Sequence, residues 1–190
     1  MRRLVIPLVV LAAVLAASPA RAQGFFSPFY GYTYGNDAGN CSSFFSDCEE
    51  KRNSYGASFG KYGVIGFEQD ISWTPEFFGK GVDVDDNRVF TAMSSLMVSI
   101  PIGPLRPYGL YGLGLIKTKV QFTAAEIADF GDTSFGYNYG LGVSLLLPAH
   151  LGIRADWRRF RTFGGLEILG LEREEAKLQF SRFSFGLVLH

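Results

Sequence analysis

Six ionisable residues have the types and spacing for chemistry on the face of a sheet: Glu68, Asp70, Arg154, Asp156, Arg158 and Arg182. Glu68 and Asp70 lie two apart, as do Arg154, Asp156 and Arg158, and a separation of two puts side chains on one face of a strand. Such a set can serve as a catalytic carboxylate pair, as a conductance path, or as a structural ion-pair network. Opposite charges taken out of water must pair and hydrogen-bond, because a lone buried charge is expensive. The balance of signs favours the third reading, and Arg182 is expected to join from the last strand.

The elements that would hold these residues alternate with a period of two. Over residues 134–160, Phe135, Tyr137, Tyr139, Leu141, Val143 and Leu145 share one face against Gly136, Asn138, Gly140, Gly142 and Ser144. A tight turn at Leu147-Pro148-Ala149-His150 leads to a second strand, where Leu151, Ile153, Ala155 and Trp157 alternate with Gly152, Arg154, Asp156 and Arg158. Elsewhere Ile65, Phe67, Ile71 and Trp73 oppose Gly66, Glu68, Asp70 and Ser72, with Gln69 interrupting the apolar stripe. Phe90, Ala92, Leu96, Val98 and Ile100 form another stripe, with Ser94 inside it. In strands 24–35 and 108–120 neither parity is clean, so the outward face stays open there.

The amino end reads as an export signal. Met1-Arg2-Arg3 is basic, residues 4–17 are apolar, and Ala20-Arg21-Ala22 fits a cleavage motif before Gln23. The apolar run is shorter than the roughly 20 residues a spanning helix needs. Residues 1–22 are therefore expected to be a signal peptide and residues 23–190 one domain. Removing the signal leaves 15 basic and 18 acidic residues, which argues against nucleic acid, whose binding needs clustered excess Lys and Arg. The two cysteines, Cys41 and Cys48, are expected to form one disulfide across a polar loop of an exported protein.

The connections alternate in length. Long polar ones are expected at 36–54, 74–88, 119–133 and 161–177, and short ones near 62–63, 101–106 and 147–150. Eight antiparallel strands then send all long loops to one side and all short turns to the other. That is the arrangement of an all-β, eight-stranded antiparallel transmembrane β-barrel, which leaves no strand edge open. On this reading the apolar stripes face lipid and the six charges face inward. Tyr30, Tyr32, Trp73, Tyr108, Tyr137 and Trp157 become candidates for interfacial belts. The spacing Asp83-x-Asp85-Asp86 lacks the remaining calcium-loop pattern and reads as a solvated loop.

SPFYGYTYG, YGASFGKYGVIGFEQDISW, RPYGLYGLGL and LGIRADWRRF run through nearly the whole chain after the signal. They resemble the small outer-membrane β-barrel domain family of Gram-negative bacteria, typified by the OmpA barrel domain and by OmpX. RFSFGLVLH is similar to the closing strand that the barrel assembly machinery recognises, though this chain ends Leu189-His190 where the family commonly ends on an aromatic residue. The resemblance implies an outer-membrane location after export through the periplasm. Its implied partners are outer-membrane lipid, lipopolysaccharide, the assembly machinery during insertion, and an extracellular ligand of the long loops.

Enzyme signals are weak. His150 and His190 are the two histidines, and neither has metal-ligand spacing. A lipid-modifying hydrolase would bring a Ser, a His and an acid together at the outer leaflet. Here Ser144 has inward parity and His150 sits in a short turn at the opposite end. No cofactor is expected. The reading is a non-enzymatic outer-membrane protein with a structural or surface-interaction role. The alternatives are a narrow channel for small solutes, a soluble periplasmic lipocalin-like binder with inward aromatic stripes, and a lipid-modifying enzyme. The direction in which the charges face separates the membrane-barrel readings from the soluble binder.

Overall fold

The computed structural model describes residues 23–35, 51–77, 84–122, 129–163, 167–168, 171–172 and 178–190. Eight long strands close on themselves: β1 (Gln23–Tyr34), β2 (Lys51–Tyr62), β3 (Ile65–Pro75), β4 (Val84–Ser99), β5 (Leu105–Phe122), β6 (Asp129–Leu146), β7 (Leu151–Thr162) and β10 (Gln179–Leu189). The two-residue strands β8 (Glu167–Ile168) and β9 (Leu171–Glu172) form a separate ribbon between β7 and β10. Around the barrel each of the eight strands pairs antiparallel with the next long strand in sequence, β7 with β10 included, and β1 pairs with β10 to close the ring. The expected signal peptide, the Cys41–Cys48 pair and Asp83 lie outside the described residues.

Burial fixes the parity of the two strands whose outward face the sequence left open. In β1 Phe25, Ser27, Gly31 and Thr33 are buried, while Phe26, Tyr30 and Tyr32 are exposed. In β5 Tyr108, Leu110, Ile116 and Thr118 are buried, while Tyr111, Leu113 and Leu115 are exposed. Outward residues are large and apolar on every strand, up to Ile65 at 72% and Leu141 at 67% exposed. A soluble barrel would hide them; a bilayer is the solvent that accepts them.

Three expectations on strand length need correction. The connection expected at 119–133 is largely strand: Lys119 pairs with Gly131, Val120 with Phe130 and Gln121 with Asp129. Likewise β4 begins at Val84 and β2 at Lys51, inside segments read as loops. Beyond the bilayer both faces of a hairpin meet water, so backbone pairing continues after apolar alternation has stopped.

The short turns have local causes. Ala149 and His150 both adopt positive φ, 70° and 62°, which reverses the chain between β6 and β7. Gly103, at φ 61°, does the same between β4 and β5. His190 is drawn to the β6–β7 turn: its backbone N–H donates to the His150 carbonyl, and His150 Nδ1 donates to the His190 carbonyl at 2.8 Å. Gln23 Nε2 donates to His190 Nδ1 at 2.5 Å, tying the start of β1 to the end of β10.

Candidate functional site: the filled barrel interior

The six charged residues meet inside the barrel, contributed by β3, β7 and β10. Glu68, Asp70 and Arg158 have no exposed surface, and Arg154, Asp156 and Arg182 are buried with them. Glu68 bridges two arginines, accepting from Arg154 Nη2 at 2.6 Å and from Arg158 Nη2 at 2.5 Å. Asp156 accepts from Arg154 Nε at 3.0 Å and Arg158 Nε at 2.8 Å. Asp70 takes Arg182 Nη2 at 2.8 Å on both oxygens and lies 3.2 Å from Arg158 Nη1. Three carboxylates thus neutralise three guanidiniums, with Arg158 at the centre touching all three acids.

Several members of this layer carry no charge, and sequence spacing did not single them out. Tyr108 is one, and it corrects the expectation that it belongs to an interfacial belt. Its side chain is buried; its hydroxyl accepts from Arg154 Nε at 2.5 Å and donates to Asp156 at 3.2 Å. Ser58 donates to Asp70 at 2.9 Å and Ser184 to Asp156 at 3.2 Å. Rings cover the guanidinium faces: Arg182 lies over Phe29 and Phe160, and Arg154 over Tyr108 and Phe25. Gly142 opens the space for the Tyr108 hydroxyl, since a Cβ there would collide with it. The other proposed belt residues do face outward, with Tyr30, Tyr32 and Trp73 well exposed and Trp157 donating to the Tyr34 hydroxyl at 3.0 Å.

Apolar clusters close the ionic layer from both ends. Toward the long connections lie Phe77, Val89, Met93, Ile116, Phe160, Leu178 and Phe180. Toward the short turns lie Phe25, Tyr62, Met97, Tyr108, Leu110 and Val188. The sequence reading assigned charge to the interior and missed these plugs. Met93 and Met97, on the parity opposite the outward stripe of β4, were the available signal. An eight-stranded barrel is just wide enough for side chains to fill it, and here they do.

The catalytic alternative finds no assembled site among the described residues. Ser144 shares a hydrogen with the Tyr62 hydroxyl at 2.8 Å inside the barrel, while His150 is engaged with His190 at the rim. No group of three or more His, Cys, Asp or Glu able to hold a metal occurs among the described residues. No described helix is long and apolar enough to cross a membrane, and the crossing elements are strands.

Residues 8–190 match the family described as outer membrane protein beta-barrel domain. The chain belongs to this family. Among solved structures this outer-membrane barrel is similar to Neisserial surface protein A (NspA), at 16% identity and a TM-score of 0.65, over 87% of this chain and 96% of that one. It is similar to Ail, the attachment invasion locus protein of Yersinia pestis, at 13% identity and a TM-score of 0.56, over 88% and 97% of the two chains. OprG of Pseudomonas aeruginosa gives 13% identity and a TM-score of 0.54, over 88% and 95%. At such identities the likeness is one of fold. No curated protein sequence matches the chain. Family membership places the barrel in the outer membrane.

Proposed function

We propose that this outer-membrane barrel is a non-enzymatic scaffold whose work is done on its surface rather than through its lumen. The observation that carries this reading is the filled interior, an ionic layer between two apolar plugs. A channel needs a continuous wet path, and a lipocalin-like binder needs an internal cavity lined by inward stripes. The described groove, of about 610 Å³, lies instead on the outer wall, where Pro28, Leu105, Val143, Ile153 and Leu187 give it an apolar lining. The six charges are read as a structural network that fixes strand register and fills the lumen.

Export and assembly complete the reading. Residues 1–22 are the signal peptide and 23–190 the mature barrel; β1 starts at Gln23, the expected first mature residue, and its side chain holds His190. The assembly machinery takes up β10, whose outward row of Phe183, Phe185, Leu187 and Leu189 ends the chain. We also propose the Cys41–Cys48 disulfide, whose two residues lie outside the described ones. The long loops meet an extracellular ligand, and lipopolysaccharide surrounds the wall. Ail, which shares the fold, has been crystallised with the heparin analogue sucrose octasulfate, which supports testing sulfated polysaccharides first.

The test uses intact cells and their membranes. The mature protein, sequenced from Gln23, should fractionate with the outer membrane and run faster on gels before boiling than after. Intact cells should bind immobilised heparin through the outer loops, and loop-shaved cells should not. Recovery in the soluble periplasm without a heat-dependent shift would overturn the barrel reading. Equal binding by cells lacking the protein would overturn the surface role.

A further inference from the structure

Two arginines on the outer wall have no partner within the described protein. The outward row of β7 reads Leu151, Ile153, Ala155, Trp157, Arg159, Arg161, changing from apolar to cationic directly above Trp157. Their strand neighbours are Tyr139 and Tyr137 on β6, and Ser181 and Gln179 on β10. None is acidic. Both arginines are half-buried, and each Nε is buried without a hydrogen-bond partner. The inward arginines of the same strand, Arg154 and Arg158, are paired to carboxylates. Arg52, Arg88 and Lys119, near the same end of the barrel, also have partners. Arg159 and Arg161 stand apart from all of these.

Their height on the wall decides what can meet them. They lie at the end away from the short turns, just beyond the Phe183–Trp157 pair and level with Tyr139 and Tyr137 on β6. In outer-membrane barrels an aromatic girdle marks the edge of the hydrocarbon, so the next outward residue meets headgroups. A guanidinium there extends its stem along the apolar wall and its charge toward the headgroup layer. Two residues apart on one face, the two Cα atoms stand roughly 6.6 Å from each other. That spacing lets both forks converge on one phosphoryl group, whose oxygens match guanidinium geometry in pairs.

We propose that Arg159 and Arg161 form a binding site for a phosphorylated lipid headgroup of the outer leaflet, the phosphoryl group of lipopolysaccharide. The proposal rests on the outer-membrane reading and adds to it a ligand class and two residues. Ser181, on the neighbouring strand, supplies a hydroxyl at the same level. The lipid's anionic group provides the counter-charge that the described protein withholds. The aromatic side chains beneath pack against its acyl chains.

The test titrates the detergent-solubilised mature barrel with intact lipopolysaccharide, with the same material after enzymatic dephosphorylation, and with inorganic phosphate alone. Wild type should bind the intact lipid about tenfold or more tightly than the R159Q/R161Q variant. The R159K/R161K variant, which keeps charge but loses the fork, should fall between them. Dephosphorylated lipid should bind all three proteins alike. Equal affinity of the double glutamine variant for intact lipid would overturn the site. Displacement of lipid by inorganic phosphate at equal concentration would overturn the lipid assignment in favour of a free-phosphate site. Neither side chain enters the lumen, so all variants should keep the heat-dependent gel shift. Absence of that shift in wild type would count against the barrel itself, whereas unchanged affinity with the shift intact would count against this site alone.

Discussion

Arg158 is the residue on which the interior depends most. It touches Glu68, Asp70 and Asp156, so replacing it leaves three buried carboxylates short of counter-charge. Breaking a buried pair by removing one partner costs about 3–5 kcal/mol, so Arg158→Met should lower stability in urea by about that amount. Reversible unfolding in lipid vesicles would measure it. Tyr108 makes a smaller contribution of a different kind. Tyr108→Phe removes one hydroxyl between Arg154 and Asp156 and should cost about 1–3 kcal/mol in the same assay, with the gel shift intact. The charged members were legible because strands of period two place them on one face with balanced signs. Tyr108 was not, because Gly109, Gly112 and Gly114 blur the parity of β5, and a tyrosine suits an interface as well as a lumen. The plugs escaped for a related reason: an apolar residue on the inward parity looks like noise in the outward stripe.

At the scale of elements, β3 and β4 show how the wall tolerates polarity. Gln69 and Ser94 each interrupt a lipid-facing stripe. Register places them directly opposite each other, and Gln69 Nε2 donates to Ser94 Oγ at 2.6 Å. Each therefore answers the other's hydrogen-bonding need without water. Ser94→Ala should leave the Gln69 amide facing lipid unpaired and destabilise the barrel by about 1–3 kcal/mol. The double variant Q69L/S94A should recover most or all of that loss, as a double-mutant cycle in lipid vesicles would record. Cross-strand register is what the sequence could not supply here, since each strand shows its own parity but not its neighbour's offset. The lengths of β4, β5 and β6 were hidden too, because alternation ends where the bilayer ends while pairing continues.

The whole molecule is a closed wall around a packed interior. The strand count, the alternation of long and short connections and the inward direction of the charges were readable from the sequence. They follow from what lipid demands of a backbone with no water to satisfy it. What lipid does not dictate is how the lumen is filled, and that is where the structure adds the rings over the arginines and the apolar layers above and below. Together these fill the lumen with side chains among the described residues. The most direct test of that account is ionic current across planar bilayers containing the purified mature protein. Wild type, inserted and showing its heat-dependent gel shift, should give no steady single-channel conductance. Reproducible open channels of uniform size from the wild-type protein would contradict the sealed interior and return the narrow-channel reading to first place.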